Sequence, residues 1–174
     1  MELLFVSQYF PPEIGAPSAR VHEHARHWVR MGHRVTVLTG IPNHPTGVVP
    51  ESYRGKRRLR EWIDGIEVIR TWMYVTPNEG FTRRTVAYLS FMFSAIVAAV
   101  RLRPPCSALV ATSPQFFCAI AGWVIARILR KPFVLEIRDL WPEAIVALGL
   151  LRRGAWPTRI LEAIEYYLYR QARL

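Results

Sequence analysis

Among the predicted loops, residues 138–143 (RDLWPE) are the most informative about chemistry. They follow the apolar run 133–137, which has the composition of a buried strand. Charged groups that leave the carboxyl end of a central strand are well placed to reach a ligand. Asp139 is suited to take a hydroxyl proton or orient an acceptor, and Arg138 to neutralise a phosphate. Alternatively, the two side chains pair only with each other or cap the following turn.

Two earlier segments hold further candidates for ligand contacts. Residues 41–47 (IPNHPTG) place Asn43 and His44 between prolines, in a rigid polar bend suited to hydrogen-bonding hydroxyl groups. Gly15 and Ala16 precede a predicted helix, where small residues let backbone N–H groups and the positive end of the helix dipole approach an anion. Alternatively, this segment is a tight turn without a ligand. No G-x-G-x-x-G follows the first predicted strand, which counts against a nicotinamide-dependent dehydrogenase.

The net charge of the chain is strongly positive. Its 23 basic and 13 acidic residues give a net charge of +10. All the basic residues are arginines except Lys56 and Lys131. Such a surface attracts phosphate-bearing partners: nucleic acid, anionic lipid or a nucleotide diphosphate. The densest basic cluster, residues 54–60 (RGKRRLR), is alternatively a solvated loop. We expect no nucleic-acid partner, because the basic residues are spread along the chain and no nucleic-acid-binding module is recognisable.

The histidines and cysteines show no spacing typical of metal ligands or of a catalytic triad. We expect Cys106 and Cys118 to be small apolar core residues in a reducing compartment. We also expect no metal and no cofactor. Four histidines fall on or beside the first predicted helix and are expected to be surface or packing residues: His22, His24, His27 and His33.

Alternating strand and helix patterns must position these candidates. Predicted strands cover residues 3–6, 35–38, 65–70, 108–111 and 133–137. Predicted helices run from an N-cap at Ser18 to a C-terminal cap at Gly32, and over 82–102, 115–129 and 158–173. Residues 40–60 are predicted to form a long loop.

This alternation predicts the α/β class: one doubly wound, Rossmann-like parallel sheet with helices on both faces. Right-handed crossovers favour the strand order 3-2-1-4-5. Ligands bind such sheets beyond the carboxyl ends of the strands, where the order reverses. The loops 7–17, 40–60, 112–114 and 138–143 are therefore expected to share one rim.

The length and composition indicate one domain with a sizeable core. The chain has 174 residues, 51% of them hydrophobic, which excludes a disordered tail, a collagen-like fibre and a disulfide-stapled mini-protein. Glu2 and the early prolines make residues 1–6 a buried strand and not a signal peptide.

An apolar stretch at residues 85–100 predicts contact with a membrane. Its 16 residues are fewer than the 18 or more of a spanning helix. We expect it to dock on an anionic membrane without crossing it; alternatively, the helix is wholly buried. The stretch is bracketed by four arginines: Arg83, Arg84, Arg101 and Arg103.

Four motifs, occurring in one order, resemble a known family. They are residues 9–17 (YFPPEIGAP), 32–39 (GHRVTVLT), 42–47 (PNHPTG) and 138–143 (RDLWPE). Together they resemble the N-terminal half of glycosyltransferase family 4, in the subgroup that assembles bacterial capsule, O-antigen and exopolysaccharide units. Many members have Gly-Gly where this chain has Gly15-Ala16. The Arg138-Asp139 pair stands about where other branches have a histidine near the reacting sugar.

The resemblance implies a two-domain GT-B enzyme of which this chain is the acceptor-side half. Such an enzyme moves a sugar from a nucleotide-sugar donor to a glycan acceptor, here expected to be lipid-linked, with retention at the anomeric carbon. Residues 1–174 are then a single domain that is inactive by itself, because the C-terminal domain holds most of the donor site. The expected place of work is the cytoplasm, peripheral at the inner face of the cytoplasmic membrane. Alternatively, the chain is a non-catalytic module of this fold that binds anionic lipid or glycan.

The resemblance also assigns roles to individual residues. Asp139 is the expected catalytic residue. The donor phosphates are expected at Gly15, Ala16 and Arg138. Substrate contacts are expected from Asn43, His44, Trp141 and Glu143.

Overall fold

The computed structural model of the chain describes residues 1–77, 80–113, 115–138, 143–147, 149 and 151–173. Within them, one sheet has the order β3-β4-β2-β1-β5-β6. Its strands are β1 (Glu2–Val6), β2 (Arg34–Gly40), β3 (Arg58–Ile63), β4 (Ile66–Thr71), β5 (Ala108–Thr112) and β6 (Phe133–Glu136). The helices are α1 (Ala16–Arg30), α2 (Phe81–Leu102), α3 (Phe116–Leu129), α4 (Glu143–Ala147) and α5 (Trp156–Gln171).

The predicted α/β class and doubly wound topology are confirmed. The five strands predicted from the sequence are β1, β2, β4, β5 and β6, and neighbouring strands among them pair in parallel. Their order is the expected one, reversing between β1 and β5. The segments after β1, β2, β5 and β6 therefore leave the same edge of the sheet.

The sequence analysis missed strand β3. Residues 58–60 were predicted to be loop, yet they begin a strand that pairs antiparallel with β4 at the edge of the sheet. Exposed arginines are typical of an edge strand, and they made this segment look like a solvated loop. The two residues that join β3 to β4, Asp64 and Gly65, both have positive φ angles. An Asp-Gly pair of this kind forms a tight hairpin turn, and it was the available sequence signal.

The predicted start of the first helix was also wrong, by three residues. Gly15 is the N-cap of α1, Pro17 lies in its first turn, and Ser18 is buried inside the helix. Proline is tolerated in the first turn because the N–H it lacks has no partner within the helix there. The helix therefore begins before the proline, and Gly15 is its N-cap.

Two core clusters cover the two faces of the sheet. On β1, Leu4 and Val6 face the cluster that includes Phe91 of α2 and Ile125 of α3, whereas Phe5 faces the cluster of α1. This alternation is that of a strand buried on both faces. Cys106 and Cys118 are buried free thiols, in agreement with the expected core role, and burial raises the pKa of Cys118 to about 12.

Helix α2 is longer than the 16-residue apolar stretch from which a spanning helix was argued against. Residues Thr82–Leu102 form a helix that is long and apolar enough to cross a membrane. Its inner face nevertheless packs in the core, where Phe91 and Ala95 are fully buried. The helix also connects β4 to β5 of one sheet. Packing and topology, and not length, are therefore what oppose a spanning role for α2.

Helix α3 approaches β5 closely at Gly122. A Cβ atom at this position would lie 2.3 Å from the Cβ atom of Ala111, a distance that real contacts do not reach. The absence of a side chain at Gly122 thus sets how closely α3 packs on the sheet.

We expect Gly122→Ala to lower the free energy of unfolding by about 1–3 kcal/mol through overpacking, although alanine has the better helix propensity. Urea denaturation measures this change. Adding Ala111→Gly should restore part of the loss, since it removes the atom that the new methyl group meets. Unchanged or increased stability in the single variant would contradict the close packing.

Candidate active site

The loops that follow β1 and β2 are joined by one buried carboxylate, that of Glu13. Its Oε1 atom accepts hydrogen bonds from the backbone N–H groups of Asn43 (3.0 Å) and His44 (2.9 Å). Its Oε2 atom accepts one from the backbone N–H of Phe10 (3.2 Å). Burial raises the pKa of Glu13, against the opposing effect of these hydrogen bonds and of Arg70. Glu13 therefore fixes the two loops relative to each other.

A fully buried arginine, Arg70 near the end of β4, ties further segments to this edge. It forms an ion pair with Glu61 of β3 and donates to the carbonyl oxygen of Pro11. It also donates to the carbonyl oxygen of Gly40 (3.4 Å) and lies 5.0 Å from the ring centroid of Tyr53. One guanidinium thus connects the loop after β1, the end of β2 and the segment before β3.

Asn43 and His44 lie side by side but face different surroundings. The side-chain amide of Asn43 is buried and donates to the carbonyl oxygen of Ile41 (2.9 Å) and to Sδ of Met73 (3.4 Å). The side-chain nitrogen of Asn43 is therefore hydrogen-bonded within the protein, next to His44. His44 is half-buried, with its ring centroid 5.0 Å from that of Tyr9.

His44 also lies against the start of α1. A Cβ atom at Gly15 would be 3.7 Å from Cδ2 and from Nε2 of the imidazole ring. Burial, with a smaller contribution from the positive charge of Arg84, lowers the pKa of His44. The neutral ring predominates at pH 7 and offers one hydrogen-bond donor and one acceptor.

The edge of the sheet where Gly15 and His44 meet is called the rim. The first turns of α2 add a cation, Arg84, to this rim. Arg84 Nη2 donates to the hydroxyl of Tyr88 (3.3 Å), and the guanidinium lies 6.0 Å from the centroid of that ring. The Tyr88 hydroxyl also hydrogen-bonds Tyr9, whose pKa is raised mainly by burial, so Tyr9 stays protonated. These side chains and His44 line a pocket of about 20 Å³.

Gln8 and Gln115 connect this rim to the point where the strand order reverses. Gln115 Nε2 donates to Gln8 Oε1 (2.7 Å), which joins the end of β1 to the start of α3. Gln115 is also the N-cap of α3, and its side chain accepts from the backbone N–H of Cys118. The third predicted loop is thereby held beside the first, although Pro114 lies outside the described residues.

The end of β6 contacts the first half of α1. Glu136 pairs with Arg20 (2.6 Å) and lies 3.4 Å from Nδ1 of His24. Arg138 follows at the same edge and is half-buried; within the described part of the chain, its Nε is buried without a hydrogen-bond partner. Glu143 begins α4, is exposed, and pairs with Arg153 at 3.4 Å.

The structure brings part of the expected site together. Gly15, Asn43 and His44 meet at one rim, and Ala16 is the exposed first residue of α1 beside them. Asp139 and Trp141 lie outside the described residues. In the remainder, no group of three or more His, Cys, Asp or Glu side chains is arranged to hold a metal.

Four residues that build the site were not identified from the sequence: Glu13, Arg70, Tyr88 and Arg84, the last of which was expected at a membrane. Each of them had a sequence signal. Glu13 lies within the motif 9–17, and Arg70 is a charge that directly follows the apolar residues Val68 and Ile69 of a strand pattern. Arg84 and Tyr88 are four residues apart on a helix, a spacing that places side chains on one face.

Two comparisons with known proteins bear on this site. Residues 15–174 match the family described as "Glycosyl transferase 4-like domain". The chain is also 27% identical over 158 residues to the "Putative colanic acid biosynthesis glycosyl transferase WcaI" of Escherichia coli (strain K12). That match covers 88% of this chain and 38% of the relative, so the chain spans well under half of the relative's length.

Removal of the Arg84 charge is expected to raise the pKa of His44, because a nearby positive charge disfavours the imidazolium. NMR titration of the His44 ring in Arg84→Gln measures the shift directly. Arg83→Gln is the matched control, since Arg83 is exposed on the neighbouring position. An unchanged His44 pKa in Arg84→Gln, or an equal rise in both variants, would contradict the described rim.

Proposed function

Because the chain belongs to the glycosyl transferase 4-like domain family, we propose that it is the acceptor-side half of a glycosyltransferase in bacterial surface polysaccharide synthesis. The observation that carries this proposal is the meeting of Gly15, His44 and Arg84 beyond the carboxyl ends of β1 and β2. This is the edge at which doubly wound sheets bind ligands. The named relative supports the same chemistry by its description.

The rim supplies one wall of a site between two domains. Its pocket of about 20 Å³ is far below the several hundred Å³ of most small-molecule sites. A sugar would therefore lie over the rim, between it and a second surface. We assign that second surface, and most of the nucleotide-sugar contacts, to a C-terminal domain of the GT-B kind.

The proposed reaction breaks the bond between the sugar and the nucleotide diphosphate and joins the sugar to an acceptor hydroxyl with retention at the anomeric carbon. Asp139 would take or orient the hydroxyl proton. Arg138 and the backbone at Gly15 and Ala16 would balance the charge of the leaving phosphate. The Nε of Arg138, which has no hydrogen-bond partner among the described residues, supports this role. No metal is required in this scheme, because arginine and N–H groups supply the positive field.

The acceptor is proposed to bind at the rim through hydrogen bonds. Neutral His44 would exchange hydrogen bonds with a sugar hydroxyl, since it offers both a donor and an acceptor. Arg84, held against Tyr88, would bind an acidic group of the acceptor. Trp141 and Glu143, which follow β6 in the sequence, would also contact the acceptor.

We further propose that the protein works as a peripheral protein at the inner face of the cytoplasmic membrane, on a lipid-linked acceptor. The support is the outer face of α2, where Val86, Phe93, Val97 and Val100 are all exposed. Their spacings of seven, four and three residues place them on one helix face. A helix that is apolar on its solvent side as well as its core side has more apolar surface than burial in this domain requires.

Sugar transfer by the intact protein tests the proposal. We expect His44→Ala to lower kcat/KM about 5- to 10-fold, the value of one hydrogen bond made in the transition state. The assay follows a labelled sugar from nucleotide-sugar donors to a membrane lipid extract. His27→Ala is the matched control, because His27 is exposed on the last turn of α1.

Residues 1–174 produced alone should fold without transferring sugar, because most of the donor contacts are assigned to the C-terminal domain. Steady transfer by this piece would contradict the two-domain proposal. Saturable glycan binding by the intact protein, without transfer from any nucleotide sugar, would instead favour the non-catalytic module.

A further inference from the structure

We infer that a cleft between residues 49–57 and 72–75 binds the phosphate headgroup of an anionic phospholipid. This headgroup cleft has a volume of about 420 Å³, which is within the range of small-molecule sites. Its cationic wall consists of Arg54, Lys56 and Arg57, and Tyr53 and Trp72 are its aromatic residues. The inference rests on the proposed work at a membrane, but it concerns a site separate from the rim and from the arginines that bracket α2.

The charge of the headgroup cleft is uncompensated. Arg54, Lys56 and Arg57 are exposed, and no ion pair joins any of them to a carboxylate within the described residues. Among the described acids in the neighbouring sequence, Glu51 is exposed, and Glu61 is already bound to Arg70. By contrast, Arg20, Arg26, Arg60 and Arg70 all have carboxylate partners. Three clustered cations without acidic partners attract a phosphate-bearing ligand.

The cationic wall is held in place through Tyr53, which contacts the ion pair of Arg70 and Glu61. Tyr53 lies under the Arg70 guanidinium at 5.0 Å and donates its hydroxyl hydrogen to Glu61 Oε2 (3.2 Å). Arg54 Nε donates to the carbonyl oxygen of Val49 (3.2 Å). The segment that carries the three cations is therefore anchored to the sheet at Arg70 and braced within itself.

The opposite wall is hydrogen-bonded to α2, the helix that carries the exposed apolar face. Trp72 and Tyr74 are 49% and 42% exposed. The backbone around them is bonded to α2: Ser94 donates to the Trp72 carbonyl oxygen, and the Tyr74 N–H donates to Ser90 Oγ (2.7 Å). Tryptophan and tyrosine favour the boundary between lipid tails and headgroups. Trp72 thus stands between an apolar surface and a basic one, as an interfacial anchor does.

The lining of the headgroup cleft favours a bilayer lipid over a specific sugar phosphate. Apart from the cations and the Tyr53 hydroxyl, its side chains are apolar: Ile41, Val49, Trp72, Met73 and Val75. Among the described residues, no amide or carboxylate side chain lines it to distinguish sugar hydroxyls. Such a cleft selects negative charge beside an apolar surface, which is what the phosphate of an anionic phospholipid presents.

Binding there would set the height of the active-site rim above the bilayer. Met73 lines both the headgroup cleft and the rim pocket, where its sulfur contacts the Asn43 amide. A lipid in the cleft would therefore hold the rim close to the membrane surface, at which a lipid-linked acceptor presents its sugar.

Flotation of the intact protein with phosphatidylcholine vesicles containing increasing phosphatidylglycerol tests the inference. We expect the triple variant Arg54→Gln/Lys56→Gln/Arg57→Gln to weaken binding to phosphatidylglycerol vesicles at least tenfold. Binding to vesicles of phosphatidylcholine alone should change little. The control variant Arg30→Gln/Arg127→Gln/Arg159→Gln loses the same charge at exposed helix positions and should change binding less than threefold. Equal weakening in both triple variants would overturn the headgroup cleft.

A second variant separates the headgroup cleft from general membrane docking. Phe93→Ser/Val97→Ser should weaken binding to neutral and anionic vesicles alike, because it removes exposed apolar surface. If binding of the triple cleft variant instead falls in parallel on both vesicle types, the inference is wrong. If the intact protein transfers no sugar but its binding still depends on phosphatidylglycerol and on the three cations, the proposed enzyme is wrong and the headgroup cleft is supported.

Discussion

The carboxylate of Glu13 must be hydrogen-bonded where it lies, because an unpaired buried charge would be strongly destabilising. It meets that requirement with three backbone N–H groups, two of which belong to Asn43 and His44. Arg70 faces the same requirement and meets it through Glu61 and two backbone carbonyl groups. These two buried charges fix the conformation of loops that the sheet alone would only bring near each other.

The candidate site follows from this constraint in steps. The doubly wound topology delivers the segments after β1 and β2 to one edge. Glu13 then sets His44 beside Gly15, while Arg70 anchors Tyr53 and with it the basic segment before β3. Helix α2 adds Arg84 to the rim pocket and an apolar surface on its outer side. The rim, the headgroup cleft and the apolar surface thereby share one end of the domain and its α2 flank.

The sequence predicted the topology well and the polar network poorly, for a physical reason. Strand and helix patterns are local, so alternation and crossover handedness were enough for the strand order. Glu13 and Arg70 act on partners about 30 and 60 residues away, and no local pattern encodes such pairing. Strand β3 was lost because its arginines resemble those of a solvated loop, although Asp64-Gly65 signalled a hairpin. The family motifs contain Glu13, Asn43 and His44 without indicating which of their residues hold the fold.

Amide hydrogen exchange in Glu13→Ala and Glu13→Gln tests most directly whether this carboxylate holds the site. The account predicts that the Phe10, Asn43 and His44 amides exchange at least tenfold faster in Glu13→Ala, while those of the central strands keep their protection. Glu13→Gln should free chiefly the Phe10 amide, because its remaining oxygen still accepts from the other two. Exposed Glu51→Ala should leave all three unchanged. Unaltered protection of Asn43 and His44 in Glu13→Ala would contradict the account, because the loops would then be held without Glu13.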